Sequence, residues 1–332
     1  MLIEEVAKLS GVSRSTVSRV INNDPNVKES TRTRVKEVIR KVNYRPNTVA
    51  RRLASGRTKI IGLVLPTAQS SLFTDPFFPG LIQGITTVCN AKDYSVMLWL
   101  TNQEQERTQT QQLASESLLD GLIIASYFIN DPILETLLKS GMPFLLIGRD
   151  PSRNNLNYVD ADNVHGAREA VVHLLRLDRH RVATITGPTK MIAGADRREG
   201  YELAFRERGL TPDPALMVEG DFTESGGYTC MLRLIPQNPD AVFVASDAMA
   251  LGALRALRES GKRVPEDVAV VGFDDIPSAE HMNPPLTTVR QNIQGMGQLA
   301  AETLIQIINQ GMTPPHRLVL PTELIIRASS GL

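Results

Sequence analysis

From Lys59 onward, short apolar runs alternate with segments of helical spacing, and few architectures satisfy that rhythm. The apolar runs are Ile60 to Leu65, Ser95 to Leu100, Gly121 to Ala125 and Pro143 to Ile147, then Val182 to Thr186, Ala241 to Ala245 and Val268 to Gly272. They are strand-sized and mostly uninterrupted by charge, as parallel strands buried on both faces require. Between them Phe78 to Ala91, Gln105 to Leu118, Pro132 to Lys139, Val164 to Leu177, Arg197 to Arg208 and Ala248 to Ser260 read as helices. Such alternation predicts parallel sheets covered by helices. Two series in one chain predict two doubly wound lobes with a cleft between them. Ligands of such sheets bind outside the carboxyl ends of the strands.

The first 45 residues obey a different rule. Ile3, Val6 and Ala7 give one apolar face, and Gly11 supplies a turn. Val17, Val20 and Ile21 give a second face on a helix from Arg14 to Asn22, with Ser13 as its natural cap. Asn22-Asn23-Asp24-Pro25 breaks it, and Val35, Val38, Ile39 and Val42 mark a third helix from Glu29 to Asn43. Helix, glycine-bearing turn, helix is a helix-turn-helix arrangement. The polar face of the second helix carries Arg14, Ser15, Ser18, Arg19 and Asn22, groups suited to base edges. Ser13 and Thr16, near the N–H groups of the helix start, suit phosphate.

Charge supports that reading. Residues 1–59 hold fourteen Lys/Arg against five Asp/Glu, whereas the remainder holds 22 against 31, so a net charge of zero conceals a basic module on an acidic body. A basic module of this kind predicts double-stranded DNA as partner. No apolar run is long enough to span a bilayer, and the acidic Glu4 and Glu5 oppose a secretory start, so a cytoplasmic protein is expected. Cys89 and Cys230 read as buried free thiols. The five histidines at 165, 173, 180, 281 and 316 show no metal-ligand spacing, and no GxSxG, P-loop or GxGxxG follows a strand. Asp274-Asp275 has no accompanying nucleophile, so no catalytic residue, metal or cofactor is expected.

The run from Val6 to Asn22, VAKLSGVSRSTVSRVIN, resembles the headpiece of the LacI/GalR family of bacterial regulators. The resemblance implies base reading by Arg14, Ser15 and Arg19, and backbone contacts from Ser13, Thr16 and Asn22. Leu2 and Lys28 stand where the family often has capping hydroxyls. Asn47 to Ser55 is one or two helical turns, too short to be stable alone. The resemblance makes it a hinge helix in the minor groove, with Ala50 and Arg51 at the groove and Leu53 wedged between base pairs.

Further matches run through the body: Val159-Asp160-Ala161-Asp162-Asn163, Arg197-Arg198-Glu199-Gly200-Tyr201, Gly220-Asp221-Phe222, Ser246-Asp247-Ala248-Met249-Ala250, Val270 to Asp275 and Pro284 to Val289. They imply a headpiece at 1–45, a hinge at 46–58, a first lobe at 59–160 plus 290–320, and a second lobe at 161–289 plus 321–332. They also imply effector contacts from Arg197 and Asp274, with Phe77 and Phe222 as apolar faces of the pocket, and Ser126, Arg149 and Ser246 are strand-end candidates for the same cleft. Arg197 and Asp274 suit adjacent hydroxyls, so a carbohydrate effector is expected first. A purine comes second, because Met191 and Ala193 replace polar groups that the resemblance associates with purine binding. The expected protein is a homodimeric regulator, most simply a repressor, that binds a near-palindromic operator. A solute-binding protein is the alternative if the headpiece does not function.

Overall fold

The strands form because their side chains are apolar on both sides. In β1 (Ile60–Leu65), Ile61, Leu63, Val64 and Leu65 are wholly buried, each worth roughly 1.5–3 kcal/mol of transfer free energy. The computed structural model describes residues 3–21, 23–44, 57–65, 72, 75–100, 118–125, 128–311 and 315–331. Expectations placed on Asn22, Ala50, Arg51, Leu53, Ser126 and residues 105–117 fall outside these. The chain divides into two units, residues 1–58 and 59–332.

The first unit contains α1 (Ile3–Ser10), α2 (Arg14–Ile21) and α3 (Glu29–Lys41). Val6, Ala7, Val17, Val20 and Val35 form its buried core. Gly11 at φ +65° turns the chain between α1 and α2, and Ser13 Oγ accepts the Thr16 N–H at 3.1 Å to cap α2. At the start of α3, Lys28 provides no side-chain cap.

The second unit contains two six-stranded sheets. The first sheet has the order β11-β5-β4-β3-β1-β2, all parallel. Its strands besides β1 are β2 (Ser95–Leu100), β3 (Gly121–Ala125), β4 (Phe144–Ile147), β5 (Tyr158–Ala161) and β11 (Arg317–Leu320). The second has the order β12-β10-β9-β8-β6-β7, parallel except for the β10–β12 pair. It comprises β6 (Val182–Thr186), β7 (Met217–Glu219), β8 (Ala241–Val244), β9 (Ala269–Asp274), β10 (Thr287–Gln291) and β12 (Thr322–Ile325). Helices α4 (Phe77–Ala91), α5 (Pro132–Ser140) and α10 (Ile293–Gln310) cover the first sheet. Helices α6 (Asn163–Arg176), α7 (Ile192–Arg206), α8 (Glu224–Leu234) and α9 (Asp247–Glu259) cover the second.

The chain passes between lobes three times. β5 leads into α6, where the Asp162 carboxylate caps the helix by accepting the His165 N–H. β10 leads into α10, where Asn292 does the same for Gly295. β11 leads into β12 across Pro321. Arg290 and Gln291, assigned on sequence to the first lobe, still pair with β12 in the second sheet. The register of that pair, rather than the helix pattern that follows, sets the crossing at Asn292.

Candidate effector cleft and DNA-reading face

The strand ends meet between the lobes around an open pocket lined from both sides, the setting in which small-molecule sites form. The first lobe contributes Asp75, Phe77, Gly148 and Asp160. The second contributes Asn163, Arg197, Phe222, Ser246, Asp274 and Gln291. Phe77, Arg197, Phe222, Ser246 and Asp274, five of the seven effector residues expected from the sequence, therefore come together.

Arg197 lies on α7 and is 4% exposed. Its Nε donates to Asn163 Oδ1 at 2.9 Å, and its Nη1 donates to the Ala245 carbonyl at 2.6 Å and lies 3.2 Å from Asp274 Oδ1. The guanidinium stacks 3.7 Å from the centre of the Phe273 ring. Nη2 has no partner among the described residues, so two donors remain for a ligand. Asp274 also accepts from Gln291 Nε2 at 2.6 Å. Burial, reinforced by the charge of Asp75 and opposed by Arg197, pushes the Asp274 carboxyl up to about 7. Burial likewise lowers the Arg197 pKa, against the attraction of Asp274 and Asp160.

Backbone strain collects at the same place. Asp274, Asp275 and Phe222 have φ of +120°, +54° and +64°, a region that bulky residues rarely occupy outside ligand clamps and switches. Phe222 is held there by Gly187, where an added Cβ would meet the ring at 2.1 Å. Asp274 and Asp275 do not act as a carboxylate pair. Asp275 engages Arg290 and Arg327, each at 2.7 Å.

One inferred contact changes role. Arg149 does not line the pocket. Its Nη1 donates to Asp160 Oδ2 at 2.8 Å, and both terminal nitrogens grip Asp196 on α7, so it ties the first lobe to the second. Two buried carboxylates attract the guanidinium more strongly than an open cleft would. Ser246 lines the pocket, but its Oγ accepts the Met249 N–H at 3.2 Å as the cap of α9.

Asp75, Asp160, Asn163 and Gln291 were not named as effector contacts from the sequence, although Asp160 and Asn163 lie in a motif matched there. The last three sit at the end of β5, the start of α6 and the end of β10, where the chain crosses between lobes, and that position is the signal by which they are found.

In the headpiece, Arg14 and Arg19 stand on the outer face of α2 with side chains 72% and 65% exposed. Each has one surface carboxylate nearby, Glu4 at 3.4 Å and Asp24 at 3.8 Å. Exposed pairs of this kind are worth about 0–1 kcal/mol and exchange readily for another anion. Ser13, Ser15 and Thr16 form a hydroxyl cluster at the helix start, with Ser13 Oγ 2.8 Å from each of the other two. Among the described residues no helix is long and apolar enough to cross a membrane, and no group of acidic, histidine and cysteine side chains could hold a metal ion.

A helix-turn-helix headpiece joined to a two-lobed body with a pocket at its strand ends defines a ligand-responsive, DNA-binding transcription regulator. The family model described as "Bacterial regulatory proteins, lacI family" matches residues 2–47, and that of the periplasmic binding protein-like domain matches residues 171–330. The HTH-type transcriptional regulator CelR of Thermobifida fusca is 40% identical over 98% of this chain and 97% of its own length. A solved transcriptional regulator CelR–cellobiose complex superposes with a TM-score of 0.79 at 39% identity, covering 99% of both chains. The lac repressor dimer bound to operator and an anti-inducer superposes at 0.88 with 28% identity, covering 100% of this chain and 99% of that one. The chain belongs to the LacI family of bacterial transcription regulators.

Proposed function

We propose that this regulator is a homodimeric repressor of a near-palindromic operator, and that its effector is a β-linked disaccharide of the cellobiose type. The observation that carries the effector class is the composition of the cleft. Arg197, Asp274, Asn163 and Gln291 supply directional polar groups, and Phe77 and Phe222 supply flat apolar faces. Hydroxyls on the edge of a sugar ring suit the first set, and its faces suit the second. The similarity to a regulator solved with cellobiose supports the choice of a disaccharide. Base reading falls to Arg14, Ser15 and Arg19, phosphate contact to Ser13, Thr16 and Asn22, and the central minor-groove wedge to Leu53, flanked by Ala50 and Arg51. The protein acts on chromosomal DNA in the cytoplasm. It catalyses no reaction and needs no cofactor.

Random-sequence DNA selection with the full chain tests the operator. Enrichment of a two-fold symmetric site is expected, and failure to enrich any palindrome refutes the repressor reading. Calorimetry with a panel of sugars and purines tests the effector. Cellobiose binding that shifts operator affinity is expected, whereas tight purine binding with no sugar response overturns the carbohydrate reading.

A further inference from the structure

Asp75 lies just before α4, in the first lobe, and lines the cleft. Its Oδ1 accepts the Phe77 N–H at 3.0 Å, and its second oxygen has no partner among the described residues. The other charges of the pocket are paired, although Arg197 keeps its Nη2 donors for a ligand. Asp160 is held by Arg149, and Arg197 by Asp274, Asn163 and the Ala245 carbonyl. Asp75 is thus the lining carboxylate without a cation in contact, and it faces the buried Asp274 closely enough to oppose its ionisation. Three carboxylates line this pocket, Asp75, Asp160 and Asp274, against the one guanidinium of Arg197.

We propose that Asp75 contacts the effector directly, and that Asp75 and Asp274 bracket it with one carboxylate from each lobe, selecting an unphosphorylated, hydroxyl-rich ligand. The inference rests on the carbohydrate reading above. Ionised carboxylates only accept hydrogen bonds, so hydroxyl donors satisfy them. A phosphate would place its charge beside two acceptors in a low-dielectric cleft, which rejects it. Because the two acceptors belong to different lobes, a ligand that engages both favours the arrangement in which both reach it.

Asp75→Asn keeps the acceptor for the Phe77 N–H and the shape of the side chain, and removes only the charge. Calorimetry at pH 8 would compare cellobiose with cellobiose phosphorylated on a primary hydroxyl, on the wild-type full chain and on the variant. The wild type is expected to favour the unphosphorylated sugar by about a hundredfold. The variant is expected to lose about tenfold on cellobiose and to discriminate less. Unchanged cellobiose affinity in the variant, or a phosphorylated sugar bound as tightly as its parent, overturns the bracket.

A second measurement needs no ligand. Asp274 is faced by Asp75 ahead of α4, Arg197 on α7, Gln291 on β10 and Asp247 on α9. Its folded pKa of about 7 exceeds the ordinary 3.8, so its contribution to stability is complete below about pH 4 and is lost as pH rises through 7. Removing the charge of Asp75 lowers that folded value. Burial also raises the Asp75 carboxyl, so the pairing is read from a cycle: the drop in melting temperature between pH 5 and pH 8 is expected to shrink more when Asp75→Asn is made in the wild type than when it is made in Asp274→Asn, and equal shrinkage in both backgrounds refutes the pairing. If no sugar binds the wild type while a purine does, the carbohydrate reading fails. The pairing of Asp75 with Asp274 is then decided by the melting data.

Discussion

The DNA-reading face and the effector cleft both use arginine beside aspartate, under opposite conditions. Arg19 lies 3.8 Å from Asp24 with 65% of its side chain exposed. Arg197 lies 3.2 Å from Asp274 with 5% exposed. The first pair is solvated, so holding it costs and gains little, and DNA phosphate or guanine can replace the aspartate. The second pair has left water, so each charge depends on the other and on Asn163, Gln291 and the Ala245 carbonyl. Binding and stability are therefore separable in the headpiece and inseparable in the cleft.

The sharpest break of that contrast is Arg197→Met. It leaves Asp274 buried without its cation and should cost about 3–5 kcal/mol of unfolding free energy and remove effector binding. Urea denaturation followed by calorimetry measures both. A variant as stable as the wild type would show that the buried pair is not the anchor. Next in size is Arg19→Ala. It should weaken specific operator binding by about 1–3 kcal/mol while shifting stability by no more than about 0.5 kcal/mol. Gel shifts against specific and random DNA, paired with thermal melting, decide it; equal loss on both DNAs removes the base-reading role. Smallest is Lys28→Ser, which supplies the side-chain cap that α3 lacks. It should stabilise the headpiece by about 1 kcal/mol, read as slower amide exchange in α3, with effector affinity unchanged. No gain in protection would mean that the start of α3 is already satisfied.

Much of this arrangement was legible in the sequence because burial leaves a period. Val6, Val17, Val20 and Val35 recur as headpiece helices demand, and β1, β3 and β4 are apolar throughout. The reading failed where the period was diluted. α8 carries Gly226-Gly227 and was not recognised, although Cys230, Met231 and Leu234 bury one face and Thr223 caps it. α7 begins at Ile192, five residues before the expected Arg197, because Gly194 and the absence of a side-chain cap disguise its first turn. In the cleft, Arg197 and Asp274 were reached through resemblance. Asp75 was not, and Asp160 was matched only as part of a motif, since an aspartate bound for a cleft looks like a surface aspartate until topology brings strand ends together. Arg149 shows the converse: its residue type suited a ligand, but its position suited the seam between lobes.

The threefold passage between lobes also governs the order in which a newly made chain can fold. Residues 1–58 hold all three helices of the headpiece, so that unit can fold as soon as it emerges. The first lobe cannot. The helix that buries Met296, Ala300, Ala301 and Leu304 against its sheet, and its edge strand at Arg317–Leu320, are synthesised only after nearly all of the second lobe. During that interval the first sheet lacks a covering helix and exposes apolar surface, the condition under which nascent chains aggregate or recruit chaperones. The DNA-reading module is therefore complete well before the effector-sensing body, and regulation begins only when the last strands arrive.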